Sequence, residues 1–342
     1  VVQRYDSTRA VTVAMHPRYR NWETDSLPCD LAMVTDVQSY NYRYMYFPGD
    51  GKKFPWMSFY QSEAAVSAMG ENYFSMNLDK VIGLAYWGAI DYLGESQGWP
   101  AKGWAQGVFD IALEPKPKAY YMKSFFSEEP LVHIAVTESR GNVMWNGVQT
   151  GNDGQSDHWN RTPGQKLEIT TYTNADEVEL FINGVSQGKS SKTDDRLHAF
   201  WRVKYHSGEV KAVSYKDGKV VAEKVIKTAG TPSQIRLTAD KEQLKPNGTD
   251  LSFVTVEVLD KDGNLCPNAD NLINFTVSGG AFIAGVDNGS PISMERFKDN
   301  KRKAFYGKCL VVLQNNDGSH QPVTLKAESE GLASSSLEIS VK

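Results

Sequence analysis

The residues best placed to do chemistry sit at the ends of apolar runs. Phe54-Pro-Trp-Met-Ser-Phe-Tyr-Gln-Ser-Glu63 is aromatic-rich, enters after Pro55 and stops abruptly on Ser62-Glu63, followed by the small residues Ala64, Ala65, Ser67, Ala68 and Gly70. Such a run reads as a buried strand. A carboxylate just past the end of a buried strand occupies the position where barrels of alternating strands and helices keep their reactive groups. Low-dielectric surroundings there tune its pKa. The alternative for Glu63 is an ordinary acid in the first turn of a helix. Two further runs end in polar and aromatic residues: Tyr40-Asn41-Tyr42, and Trp87 through Asp91 to Glu95. Three strand ends with the same placement point to one shared pocket.

The elements that must position these groups alternate. Ala10–Met15, Leu31–Val37 continuing into Gln38–Tyr42, Pro55–Ser62 and Val81–Ile90 read as strands; their near-continuous apolar character suits a sheet covered on both faces. Ala64–Asn77 is long enough for a crossover helix, and Pro117–Ser127 is a last helix with Pro117 in its first turn. Four such units make half of a (β/α)₈ barrel. After Ser127-Glu-Glu-Pro130 the grammar changes to short strands separated by Asn146-Gly147, Asn183-Gly184, Asp217-Gly218, Asn247-Gly248 and Asp262-Gly263. That spacing predicts β-sandwiches. The expected organisation is therefore multidomain α/β plus all-β: a half barrel over 1–129, a first sandwich over 130–230 and a second over 231–342.

Composition narrows the function classes. The chain has 342 residues, enough for two or three domains, with 23% charged residues and a formal net charge of −4, which points away from nucleic acid and anionic membranes. Its 8 Trp, 16 Tyr and 14 Phe suit either sugar-binding clefts, where a ring lies against the C–H face of a pyranose, or large β cores. Cys29, Cys266 and Cys309 lie far apart with no His at ligand spacing, so neither a metal nor any other cofactor is expected. Cys266 and Cys309 share a predicted domain and could meet; three buried thiols is the simpler reading. Asp260-Lys-Asp-Gly-Asn264 lacks the spacing of a calcium loop and reads as a turn. His158-Trp159-Asn160 reads as a loop anchored by one buried Trp, with a ligand contact as the alternative. No apolar run reaches membrane-spanning length. The opening Val1-Val2-Gln3 falls in mid-pattern and reads as a truncation, so targeting signals are not legible.

In order along the chain, Asp6-Ser-Thr-Arg9, Ser39-Tyr-Asn-Tyr42, Ser62-Glu63, Gly83-Leu-Ala-Tyr-Trp87 running to Glu95, Gly107-Val-Phe-Asp110 and Glu114-Pro-Lys-Pro-Lys-Ala-Tyr-Tyr121 resemble glycoside hydrolase family 2, the family of β-galactosidases, β-glucuronidases and β-mannosidases. The resemblance covers about 120 residues. It implies a retaining exo-β-glycosidase, β-galactosidase above the others, with Glu63 as nucleophile. A retaining enzyme needs a carboxylate roughly 5–5.5 Å from a second carboxyl group. The resemblance also implies that Tyr40 holds the nucleophile and that Trp87 walls the innermost sugar subsite, core filling being the alternative for both. Asn41, Asp91 and Glu95 are then candidates for sugar hydroxyls, and Trp99 and Trp104 for the rim.

The family's acid/base follows an Asn, and this chain has no Asn-Glu dipeptide. The expectation is that the acid/base, the first four barrel strands and an amino-terminal sugar-binding domain lie upstream. The chain alone would then be inactive, its partners being the glycoside and its own missing half. Residues 130–230 resemble the immunoglobulin-like domain that follows the barrel in bacterial members, and residues 231–342 resemble invasin-type Ig-like domains. These modules suggest an exported parent, periplasmic or extracellular. A competing reading makes the chain a non-catalytic carbohydrate-binding or spacer module.

Overall fold

In a computed structural model, residues 2–17, 30–65, 77–96, 98–137, 143–151, 154–191 and 198–342 are described. The fold is mostly β. Two compact units are present, Val1–Ala89 and a second formed by Ile90–Ser191 with His198–Lys342.

The first unit is built on a four-stranded sheet, β1 (Thr12–Met15), β2 (Val37–Asn41), β3 (Phe59–Ala64) and β4 (Val81–Tyr86), in that order and all parallel. One face is packed by Tyr40, Tyr44, Tyr46, Phe47, Met57 and Phe59. Phe47 stacks on Phe59 with centroids 4.8 Å apart, and Tyr40 lies 5.5 Å from Phe47. A helix that the sequence reading did not include, Phe47–Lys53, carries Phe47 into this layer, with Pro48 at its start.

Several strand limits differ from the expectation: β1 begins at Thr12 rather than Ala10, β4 ends at Tyr86 rather than Ile90, and β2 and β3 start late. Asp30–Met33 is a 3₁₀ turn rather than the start of a strand. The Gln38 amide donates to the carbonyls of Ala32 (3.0 Å) and Thr35 (2.8 Å), closing the turn so that extended pairing begins only at Val37. Pro55 and Trp56 form a turn, and β3 starts at Phe59. The expected crossover helix over Ala64–Asn77 falls mostly on residues 66–76, outside the described residues, as does Cys29.

The second unit holds two sandwiches. In the first, the sheet Gln155–Ser156, Val132–Thr137, Lys166–Thr173, Ala199–Lys204 faces the sheet Val185–Ser191, Glu177–Ile182, Glu209–Lys216, Lys219–Lys227. Ile134, Val136, Ile169, Val178, Leu180 and Val210 form the core between them. Trp159 is fully buried there, packs on Tyr205 at 5.1 Å and donates its indole N–H to His206 O at 3.0 Å, so it is the anchor of its loop. In the second sandwich, Gln234–Ala239, Leu251–Leu259, Lys308–Asn315 and Ala281–Asp287 face a five-stranded sheet. Cys266 and Cys309 are both free and buried in it.

The turn signals act as the chemistry requires. Asn183-Gly184 (φ 50° and 79°) and Asp217-Gly218 (φ 51° and 73°) have both residues in the left-handed region, the geometry whose twist matches a two-residue hairpin. The Asp260 loop is a turn whose carboxylate accepts the backbone N–H groups of Gly230, Asp262 and Asn264. Burial alone would raise its pKa, but these bonds outweigh it and hold the group at about 2.

Residues 90–126 belong to the second unit. The Pro117–Phe126 helix covers the outer face of the first sandwich. Tyr120 lies parallel to His133 at 3.6 Å, and Tyr121 packs on Tyr172 at 5.2 Å. This explains why Val132–Val136 and Thr170–Thr173 are buried on both faces where a bare sandwich strand would alternate.

Just before the helix, Asp110 closes a turn with Leu113 in the left-handed region (φ 66°), accepting N–H groups from Ala112 and Glu114 at 2.8 and 2.9 Å. It is packed so closely against Gly289 that a β-carbon there would lie 1.9 Å from Asp110 Oδ2. Burial pushes the Asp110 carboxyl from 3.8 to about 7. A folded-state pKa above the unfolded one makes ionisation costly to the native state, so stability falls as pH rises from about 4 to about 7. We expect Asp110→Asn to melt at the same temperature as the unaltered protein near pH 4 and increasingly above it up to pH 7, with no further change at pH 8. Parallel thermal melts across that range check this.

Candidate active site

The geometry at Glu63 begins with the backbone. Side chains alternate along a strand, so Phe59 and Gln61 face the buried aromatic layer and Glu63 would follow them. It does not, because β3 carries one extra residue. The ladder runs Ser39↔Tyr60 and then Asn41↔Glu63 against β2, and Gln61↔Leu84 and then Ala64↔Tyr86 against β4. This bulge moves Glu63 to the face of Asn41, opposite the aromatic layer.

The surrounding bonds fix that arrangement. Tyr42 donates its backbone N–H to Glu63 O at 2.8 Å, and Trp87 donates its own to Ala64 O at 2.8 Å. Ser62 Oγ donates to Asn41 Oδ1 at 2.7 Å. Glu63, Asn41 and Trp87 therefore stand at the carboxyl ends of three adjacent parallel strands. Glu63 is half-buried, and the Trp87 ring is 41% exposed, available as a wall rather than core.

Tyr40 is elsewhere. It precedes Asn41, so alternation places it on the opposite face, fully buried, with its hydroxyl donating to Asp50 Oδ2 at 2.8 Å. The expectation that this phenol holds the Glu63 carboxylate is corrected: it ties the sheet to the Phe47–Lys53 helix. Tyr42, which belongs to the expected strand-end cluster but is assigned no role there, is the residue that bonds to the Glu63 backbone. It stands at the end of β2 in the left-handed region (φ 55°), its ring edge-on to His16 at 6.2 Å. The Ser39–Tyr42 motif contained it, but the positive φ that turns the chain there had no signal in sequence.

Asp91 and Glu95 belong to the second unit. Asp91 is buried, accepts the Gly107 N–H at 2.8 Å and pairs with Lys116 Nζ at 2.7 Å. A β-carbon at Gly107 would sit 2.7 Å from the Asp91 backbone, so the glycine lets the two segments close. The expectation of a sugar-hydroxyl ligand at Asp91 gives way to a carboxylate whose oxygens are engaged internally. Glu95 accepts the Tyr92 hydroxyl, Tyr92 stacks on Trp104 at 5.6 Å, and Trp99 is 79% exposed. Among the described residues no group of three or more His, Cys, Asp or Glu could hold a metal, and no helix is long and apolar enough to cross a membrane.

Comparison with known proteins identifies the family. Residues 235–338 match glycoside hydrolase family 2 C-terminal domain 5, and residues 164–222 match a domain of unknown function (DUF4982). Beta-galactosidase BoGH2A of Bacteroides ovatus is 51% identical over 267 residues, 77% of this chain and 29% of that protein. A putative beta-glucuronidase of Formosa agariphila is 30% identical over 238 residues, 67% of this chain and 21% of that protein. A solved structure of a glycosyl hydrolase family 2 member from Bacteroides cellulosilyticus superposes with a TM-score of 0.87 at 32% identity, over 100% of this chain and 46% of that one. The chain belongs to glycoside hydrolase family 2, matching the C-terminal part of its members and spanning less than half the length of these relatives.

The Asp91 geometry yields a test. Removing one partner of a buried ion pair leaves the other charge uncompensated and costs about 3–5 kcal/mol. Asp91→Ala should lower stability by about that amount in chemical denaturation, and Asp91→Ala with Lys116→Met should recover part of the loss. Unchanged stability in the single variant would return Asp91 to the list of ligand contacts.

Proposed function

We propose that this chain is the C-terminal part of a retaining exo-β-glycosidase that releases terminal β-linked sugars, β-galactosides first among them, with Glu63 as nucleophile. The observation that carries the reading is the bulge in β3, which brings a half-buried carboxylate to the face and strand end shared with Asn41 and Trp87. The 51% identity to a protein named β-galactosidase supports the sugar class.

In this reading β1–β4 are the second half of a (β/α)₈ barrel over 1–129, followed by Ig-like sandwiches over 130–230 and 231–342. The parent is exported, periplasmic or extracellular. The sequence upstream supplies the other barrel half and the acid/base. Glu63 attacks the anomeric carbon while the upstream acid protonates the leaving oxygen. Water then cleaves the glycosyl ester with that same group acting as base. Trp87 offers an apolar face to the sugar ring, and Asn41, held by Ser62, presents an amide to a hydroxyl.

Glu63→Gln in the full-length parent should abolish cleavage of aryl β-galactosides, because an amide is a poor nucleophile, while the fold is retained. A thermal melt and a 2-fluoro-galactoside trap measure both. Label on a carboxylate other than Glu63, or activity surviving in folded Glu63→Gln, would remove the assignment. Aryl β-glucuronides and β-mannosides in the same assay decide the sugar; faster turnover of a glucuronide would transfer the reading to that class.

A further inference from the structure

The second unit holds a cavity of about 810 Å³, open to solvent and lined wholly by its own residues. Three pieces of chain line it: the 105–120 segment, the first sandwich through residues such as His158 and Lys224, and the second sandwich through Thr255 and Tyr306. Its size falls in the range of about 300–1,000 Å³ typical of small-molecule sites.

Three properties of the wall narrow the occupant. Charge is balanced: Lys116 lies 2.7 Å from Asp91, Lys308 pairs with Glu114 and Lys227 lies 3.4 Å from Glu209, and with Asp110, Asp157, Lys224 and Arg236 the wall carries five acidic and five basic residues. No field of one sign remains to select an ion. The two histidines on the wall are also kept neutral. Burial, with Lys224 nearby, pushes His133 down to about 3, and burial with Arg161 holds His158 well below the ordinary histidine range.

Polar groups and aromatic rings are interleaved. Tyr120, Phe305 and Tyr306 bring rings to the wall, while Thr150, Gln155 and Asn264 bring neutral donors and acceptors. A lipid would want a wholly apolar lining and a phosphate an excess of cations; this wall mixes polar with apolar groups and balances its acids and bases. Rings beside neutral hydrogen-bonding groups suit a molecule that is polar at its edges and apolar on its C–H faces.

We propose that this cavity binds a neutral saccharide of disaccharide size, at a site built from residues other than those around Glu63. It would hold a glycan or product without cleaving it. The proposal does not depend on Glu63 being a nucleophile.

The test titrates lactose, cellobiose and maltose into the 342-residue chain by calorimetry. It uses a Glu63→Gln/Trp87→Ala background, so that the pocket at the parallel strand ends contributes nothing. Two further substitutions address the cavity. Thr255 alternates with the core residues Val254 and Val256 on its strand and lines the cavity, so Thr255→Trp fills space without entering the core. Asp157 lines the cavity from an exposed position, so Asp157→Ala removes an acceptor at little cost to folding.

The expected result is millimolar binding of at least one of the three sugars, weakened about tenfold or more by Thr255→Trp and by Asp157→Ala, with melting temperatures kept. No binding by any of the three sugars would overturn the proposal and leave a water-filled cavity. Binding unchanged in both folded variants would overturn it too, as would tighter binding of inorganic phosphate than of every neutral sugar.

Discussion

The feature that decides which face of the first unit's sheet carries Glu63 is one extra residue in one strand. A parallel ladder fixes the direction of every side chain along it, and a shift of one position reverses all that follow. In β3 the shift comes between Tyr60 and Glu63, after Phe59 and Gln61 have entered the buried face and before the strand ends. Without it the carboxylate would point into an aromatic layer, where ionisation is costly. Because the residues beside it still donate and accept across both neighbouring strands, Glu63 is held by backbone on both sides rather than by a loop. A side chain on a central strand is placed more firmly than one on a connection.

Much of this was legible in sequence, and what was not has identifiable causes. Leu251–Leu259, an alternating run, has the limits its periodicity predicts, whereas the run Val81–Ile90 starts as expected but leaves the sheet after Tyr86. The Asn-Gly and Asp-Gly turns were legible because backbone sterics leave few residues able to adopt positive φ twice in succession. The run Leu31–Val34 misled because apolar residues also form tight turns when a side chain such as Gln38 satisfies the freed carbonyls. Tyr40 shows a different failure. Tyr40 and Asn41 are adjacent, so alternation allowed only one of them to face Glu63, and the aromatic helix face around Phe47 decided which. The pairing of Asp91 with Lys116 spans 25 residues and left no local trace.

The segment between the parallel sheet and the sandwiches shows how composition and packing diverge. Its motifs resemble a barrel exit, yet it contacts the β modules through Glu114 with Lys308 and Tyr120 with His133, while Lys116 pairs with Asp91 within the segment itself. The change of sequence pattern near residue 130 marks where helices stop. The change of packing lies at 89/90, where the chain begins to use the sandwiches as its support. Each of these contacts removes a polar or charged group from water, and each is matched by a partner, as burial requires.

The edges of the parallel sheet bear on the proposed function. Among the described residues β1 and β4 each pair on one side only, and both expose apolar side chains, Val13 at 39% and Ile82 at 66%. Soluble proteins avoid unpaired, apolar strand edges, which recruit other strands. β1 is only four residues long and β4 is bulged at Ile82, between the pairs Phe59↔Val81 and Tyr60↔Gly83, but neither edge carries a proline or a charged side chain that would block pairing. In a closed barrel both edges would be paired and the apolar positions covered. The same closure would complete the surroundings of Glu63, since a retaining pair of carboxyl groups must face each other across a substrate only one sugar wide. Edge and proposed site thus make one demand: the proposed upstream half would supply hydrogen bonds to the strands and a second carboxyl group beside Glu63.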